Sequence, residues 1–166
     1  SCGLNDHYQL GHSDKEKVSF TFEQIQWTPD KSTPLKTITC HASGFHSFLV
    51  INRQALFSFG DNRYAQLGHP NISSDIKVPT QVEAIQSHQS ILSIGTGTKH
   101  TMVICAAHKK EKRYRLFGFG CGEHGQNGRR LNEAILYEPT LVPCAKDNEM
   151  LIKVACGTNH TIVLSK

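Results

Sequence analysis

Apolar and polar positions in this chain alternate in short runs and do not form helical stripes. Ala55-Leu56-Phe57-Ser58-Phe59-Gly60 predicts a strand with Leu56 on one face and Phe57 and Phe59 on the other. Asp61-Asn62-Arg63-Tyr64 reads as the turn that follows, because Asp and Asn bond their own backbone and tolerate positive φ. Gln66-Leu67-Gly68 closes the loop, with Leu67 as its apolar plug and Gly68 where a β-carbon would clash. A variable stretch ends in Val78-Pro79-Thr80-Gln81-Val82, matched later by Glu138-Pro139-Thr140-Leu141-Val142. Proline there breaks helix and suits the start of an edge strand. Ile91-Leu92-Ser93-Ile94-Gly95 predicts an inner strand and Thr101-Met102-Val103-Ile104-Cys105 the next. The analogues of the latter are Ser47-Phe48-Leu49-Val50 and Thr161-Ile162-Val163-Leu164.

This pattern occurs three times. The loop element reads Cys2-Gly3-Leu4-Asn5-Asp6-His7-Tyr8-Gln9-Leu10-Gly11, then Phe59-Gly60-Asp61-Asn62-Arg63-Tyr64-Ala65-Gln66-Leu67-Gly68, then Phe119-Gly120-Cys121-Gly122-Glu123-His124-Gly125-Gln126-Asn127-Gly128. A second element follows each copy and ends in Gly44-Phe45-His46, Gly97-Thr98-Lys99-His100 or Gly157-Thr158-Asn159-His160. Gly3, Gly60 and Gly120 lie 57 and 60 residues apart, and His46, His100 and His160 lie 54 and 60 apart. A period of about 50–60 residues is too long for helical solenoids and suits four-stranded propeller blades. The sequence units run approximately 1–54, 55–114 and 115–166, and the first lacks its opening strand residues.

Composition narrows the function. In 166 residues with 38% hydrophobic content, 13 glycines fit short strands and many turns. No apolar run approaches the roughly 20 residues of a membrane span. The formal charge of +4 is mild and argues against nucleic acid as a partner. The densest basic run, Lys109-Lys110-Glu111-Lys112-Arg113-Tyr114-Arg115, reads as a solvated hairpin tip. The six cysteines form no Cys-x-x-Cys pair, so buried free thiols are expected, with neither disulfides nor zinc. Gly118-x-Gly120-x-Gly122 resembles a phosphate loop but lacks the helix that should follow.

A catalytic histidine occurs once, beside a unique base or nucleophile. Here the histidine returns with every unit. His46, His100 and His160 are therefore read as structural, each a partly buried imidazole that bonds neighbouring backbone and ties adjacent strands. The recurring glycines Gly3, Gly11, Gly44, Gly60, Gly68, Gly97, Gly120, Gly128 and Gly157 share that status. No catalytic, cofactor-binding or metal-binding residue is assigned. Variable loops carry binding, and the longest, 12–33, holds the single tryptophan, Trp27, the candidate partner contact.

The paired loop and Gly-x-x-His signatures resemble the repeat of the regulator of chromosome condensation family across nearly the whole chain. The resemblance implies an all-β fold, a propeller of seven four-stranded blades. Three units do not close such a ring, so the chain is expected to be the C-terminal part, about three blades, of a longer protein; the alternative, a short protein, would have to pair with another half or leave sheet faces exposed. Gly122 and Asn127 depart from the loop pattern, which has Asn and Leu there, and Ala42-Ser43-Gly44 lacks a second glycine. The third unit, with its long 106–115 hairpin, is similar to the last blade of small propellers of the alpha-tubulin suppressor and secretion-regulating exchange factor type. That likeness implies a cytoplasmic and nuclear, non-enzymatic adaptor. Its partner would be a small zinc protein serving diphthamide synthesis and Elongator-dependent tRNA wobble-uridine modification. The alternative implied by the family is guanine nucleotide exchange on a small GTPase.

Overall fold

A computed structural model describes residues 1–13, 16–29, 34–70, 74–85, 89–106, 114–129, 134–143 and 149–166. The described residues form twelve strands and no helix. A leading pair, β1 (Gly3–Leu4) and β2 (Val18–Ser19), comes first. The first complete sheet contains β3 (Ile38–Ala42), β4 (His46–Ile51), β5 (Ala55–Gly60) and β6 (Ile76–Gln81). The second contains β7 (Ser90–Thr96), β8 (His100–Ala106), β9 (Tyr114–Cys121) and β10 (Ile135–Val142). A trailing pair, β11 (Leu151–Cys156) and β12 (Thr161–Ser165), completes the order. Every pairing is antiparallel between chain neighbours, the up-and-down order of a propeller blade. The partial propeller thus consists of two four-stranded sheets flanked by two strand pairs.

The sheets are out of phase with the sequence units. Unit 55–114 supplies β5 and β6 to one sheet, then β7 and β8 to the next. In both sheets the second and third strands meet at the signature residues, with His46 opposite Gly60 and His100 opposite Gly120. Gly60 has φ +109, and a β-carbon there would lie 2.5 Å from the Phe45 carbonyl oxygen, so no larger residue fits this crossing.

The core lies between sheets. Phe48, Leu56, Leu67, Val103 and Phe119 form one buried cluster between the two complete sheets. Met102, Ile104, Leu116, Leu151 and Val154 form the other, against the trailing pair. The second and third strands are therefore covered on both faces. The expected separation of Leu56 from Phe57 and Phe59 does not expose either set, because β5 is buried from Leu56 to Gly60. Its Phe57 meets the Trp27 ring edge-on at 4.7 Å. Pro79 and Pro139 sit on the outermost strands within register shifts, where a missing N–H blunts the sheet edge.

The five described cysteines are free. Cys105 and Cys121 are buried, but Cys2 and Cys40 are exposed, so the expectation of buried thiols holds for only part of the set. Cys144 and basic residues 109–113 lie outside the described residues. The strands flanking that basic run pair as a hairpin, with Ala106 opposite Tyr114.

Candidate interaction surface

The three loop copies fold alike. Tyr8 and Ala65 adopt φ 59° and Gly125 φ 75° at the same loop position, while Gly11, Gly68 and Gly128 all adopt 76°. Asn5 Oδ1 accepts from the Leu10 N–H and Asn62 Oδ1 from the Leu67 N–H, both at 3.1 Å. The recurring glutamine folds back on the loop. Gln9, Gln66 and Gln126 Oε1 accept from the N–H groups of His7, Tyr64 and His124 at 2.8–2.9 Å. A further pair was not read from the sequence. Ser1 and Ser58 hydroxyls donate to the Leu10 and Leu67 carbonyls and lie 2.8 Å from His12 and His69 Nε2. Its signal was present as Ser-x-Gly before the first two loops and Gly-His after them, a pattern the third loop lacks.

The two departures in the third loop are one exchange. A β-carbon on Gly122 would overlap the Asn127 amide, so Asn127 fills the space that Asn5 and Asn62 hold in their loops. Asn127 Oδ1 accepts from the Arg129 N–H at 3.1 Å.

The histidines tie sheet to sheet, not strand to strand. Thr101 donates its hydroxyl proton to the Gln66 carbonyl at 2.9 Å and lies 3.3 Å from His46 Nε2. Thr161 donates to the Gln126 carbonyl at 2.7 Å and lies 3.0 Å from His100 Nε2. A hydroxyl has one proton, so Nε2 of each imidazole must carry a hydrogen and donate it to the hydroxyl oxygen. Burial drives both pKa values down to about 4, which keeps the rings neutral. Ser47 makes the corresponding bond to the Gln9 carbonyl at 2.8 Å. The expected imidazole-to-backbone bond is therefore corrected, since a side-chain hydroxyl from the neighbouring sheet stands between. His46 and His100 are fully buried, whereas His160 is exposed on the trailing pair.

The glycines separate by position. Gly3, Gly60 and Gly120 sit where the third strand enters the loop, and Gly11, Gly68 and Gly128 close it. Gly97 and Gly157 face the rings of His100 and His160. Gly44 is not their equivalent, because nothing lies within 4 Å of its β-carbon position. Ser43 takes that place, 3.4 Å from His46 Nδ1 and donating to the Gly97 carbonyl at 2.6 Å.

On the loop side, side chains bridge neighbouring sheets. His7 Nδ1 lies 3.0 Å from Asp75 Oδ2, and the ring meets Phe45 edge-on at 5.3 Å. Arg63 grips both oxygens of Asp61, at 2.9 and 3.0 Å. Burial pushes the Asp61 pKa up, but the hydrogen bonds and charge of Arg63 outweigh it and hold the carboxyl below its usual range. His7, Asp61 and Asp75 offer three donor atoms within 4.8 Å of one another, the one such group among the described residues. Arg63 already supplies a positive charge to Asp61 there, so the cluster is read as a clasp between loops. Lys77 over Tyr8 and Lys99 over Tyr64, at 5.0 and 4.1 Å, add two cation–π contacts.

Trp27 is half-buried against Phe57, so its ring packs the long loop onto β5. The aromatics of that loop that face solvent are Phe20 and Phe22, 94% and 88% exposed. Their segment is pinned. Ser1 and Glu23 exchange backbone bonds, and the Ser19 hydroxyl lies between the Thr21 carbonyl and Glu23 Oε1. Phe22 stands one residue before Glu23, as Pro79 stands before Thr80.

The profile of the regulator of chromosome condensation (RCC1) repeat matches residues 55–104 and 115–164. Human protein RCC2 is 29% identical over 186 aligned positions, covering 99% of this chain and 33% of that protein. The human probable E3 ubiquitin-protein ligase HERC6 is 30% identical over 121 positions, 73% of this chain and 11% of that one. Prp20p of Saccharomyces cerevisiae, solved with its binding properties to Gsp1p and histones, superposes with a TM-score of 0.78 at 19% identity. The match covers 99% of this chain and 38% of that one. The chain thus spans about a third of the length of RCC2. No helix among the described residues is long and apolar enough to cross a membrane. With two matched units and the sheet order of a propeller, the chain belongs to the RCC1 repeat family.

Proposed function

We propose that this chain is part of a non-enzymatic propeller that binds other proteins as an adaptor. One contrast carries the reading. The recurring polar side chains are spent on holding loops and sheets together, while Phe20 and Phe22, on the segment paired with Ser1 at the edge of the described array, are exposed. Exposed aromatics are the chemistry of interface anchors. The finer reading, a cytoplasmic and nuclear adaptor for a small zinc protein of the diphthamide and Elongator pathways, rests on the third unit's likeness to the alpha-tubulin suppressor type.

The second reading is nucleotide exchange on a small GTPase. It draws support from the fold shared with Prp20p, whose binding to Gsp1p was characterised. Capture with the native full-length protein, followed by mass spectrometry, separates the two. A small zinc-binding protein lost on Phe20→Ser/Phe22→Ser substitution supports the adaptor. A GTPase held best without nucleotide, and released faster from nucleotide by the protein, supports exchange and displaces the adaptor reading. Capture unchanged by the double substitution removes the aromatic pair from the interface.

A further inference from the structure

The innermost strands of the two complete sheets, β3 and β7, are tied at one end. Ser43 Oγ donates to the Gly97 carbonyl at 2.6 Å, and Thr96 Oγ1 to the Ala42 carbonyl at 3.3 Å. Away from these ties lies a cavity of about 260 Å³, lined in part by Thr37, Thr39, His41, Arg53 and Ser93. The corresponding seam between β7 and β11 is closed. Val154 N–H donates to Ser93 Oγ at 3.1 Å, and a β-carbon on Gly95 would lie 2.8 Å from Cys156 Sγ.

One position of the earlier strand differs in size between the two seams. Gly95 precedes His100 by five residues, and His41 precedes His46 by five. Where one seam has a glycine that lets the next strand approach, the other has an imidazole, and the two strands stand apart. The cleft that results has a distinct chemistry. Val50, Ile91 and Ile94 are buried and apolar at its base. Arg53 is exposed beside it on a turn held at φ 59°, with its carbonyl accepting from Ile91 N–H at 2.7 Å. Among the described residues the lining contains no carboxylate and no ion pair engages Arg53. Burial lowers the His41 pKa, so the ring adds no charge at neutral pH.

We propose that this cleft binds an acidic peptide segment of a partner protein, a carboxylate on Arg53 and an adjacent aliphatic side chain over Val50, Ile91 and Ile94. The volume is below the roughly 300–1,000 Å³ of a drug-sized pocket and suits one side chain with a carboxylate beside it. The proposal rests on the interaction-module reading and names the partner's chemistry at a place remote in sequence from Phe20 and Phe22.

The test is fluorescence anisotropy of the full-length protein with labelled acetyl-Glu-Leu-Glu-Leu and its acetyl-Lys-Leu-Lys-Leu counterpart. The acidic peptide binds, its affinity falls with salt, and the lysine peptide does not bind. Arg53→Glu lowers affinity at least tenfold. His41→Gly restores the glycine of the closed seam and removes binding, with Phe20- and Phe22-dependent partner capture unchanged. Absence of acidic-peptide binding, equal binding of the lysine peptide, or full affinity in Arg53→Glu overturns the proposal. Because Arg53 is exposed, its variant reports even where His41→Gly unfolds the sheet.

Discussion

The seam between the two complete sheets and the seam against the trailing pair share one tie and differ in what fills them. Both use histidine, hydroxyl and glutamine carbonyl, through His46, Thr101 and Gln66 in one and His100, Thr161 and Gln126 in the other. The first has Leu67 as an apolar plug and His41 lining the cleft between the inner strands. The second has Asn127 in that loop and Gly95 drawing the inner strands together. The lesson is that directional bonds fix the geometry of the array, while packing around them is free to vary and to make a cleft.

Acid should break both seams at once and has the largest expected effect. The rings stay neutral in the fold down to about pH 4, whereas an imidazole in the unfolded chain takes its proton near 6.5. Between these values the unfolded state binds more protons, so stability falls as pH is lowered from 6.5 to 4. The slope reaches about 1.4 kcal/mol per pH unit for each ring. Urea melts across that range measure it, and His46→Gln should remove that ring's share, up to about 1.4 kcal/mol per pH unit.

Phe119→Ala strikes the first seam alone. This ring is fully buried, and its edge would lie 3.1 Å from a β-carbon on Gly68. The expected cost is about 3–5 kcal/mol in the same melts.

Thr101→Val and Thr161→Val compare the ties directly. The first leaves the Gln66 carbonyl and His46 Nε2–H buried without partners, at about 1–3 kcal/mol. The second should cost less, because Thr161 is only half-buried. Equal losses would show that burial does not set the value of the tie.

The smallest effect sharpens the contrast between plugs. Gly122→Asn alone meets the Asn127 amide and destabilises, and pairing it with Asn127→Leu rebuilds the loop seen at Asn62 and Leu67. The double variant should exceed the sum of the singles by about 0.5–3 kcal/mol in a double-mutant cycle.

Much of this was legible in the sequence. Period, strand order and the structural standing of His46 and His100 follow from recurrence alone. The partner of His46 did not, because Thr101 stands next to a different histidine in sequence and belongs to the following unit. The clasp of His7 with Asp75 occurs once and spans 68 residues, so neither period nor motif marks it. Trp27 drew attention by residue type, yet its ring finds Phe57, and the exposed aromatics are two ordinary phenylalanines. The exchange of Asn127 for Asn62 looked like two losses because sequence shows each position separately, and only space joins them.

The offset between sequence unit and sheet has a consequence for inheritance. The chain crosses from the first complete sheet to the second inside unit 55–114, and each sheet is assembled from two successive units. A duplication or deletion that copies or removes one full unit therefore carries its own inter-sheet linker with it. The array can lengthen or shorten in evolution without inventing a new joint, and each newcomer is stitched to its neighbours by backbone pairing on both sides.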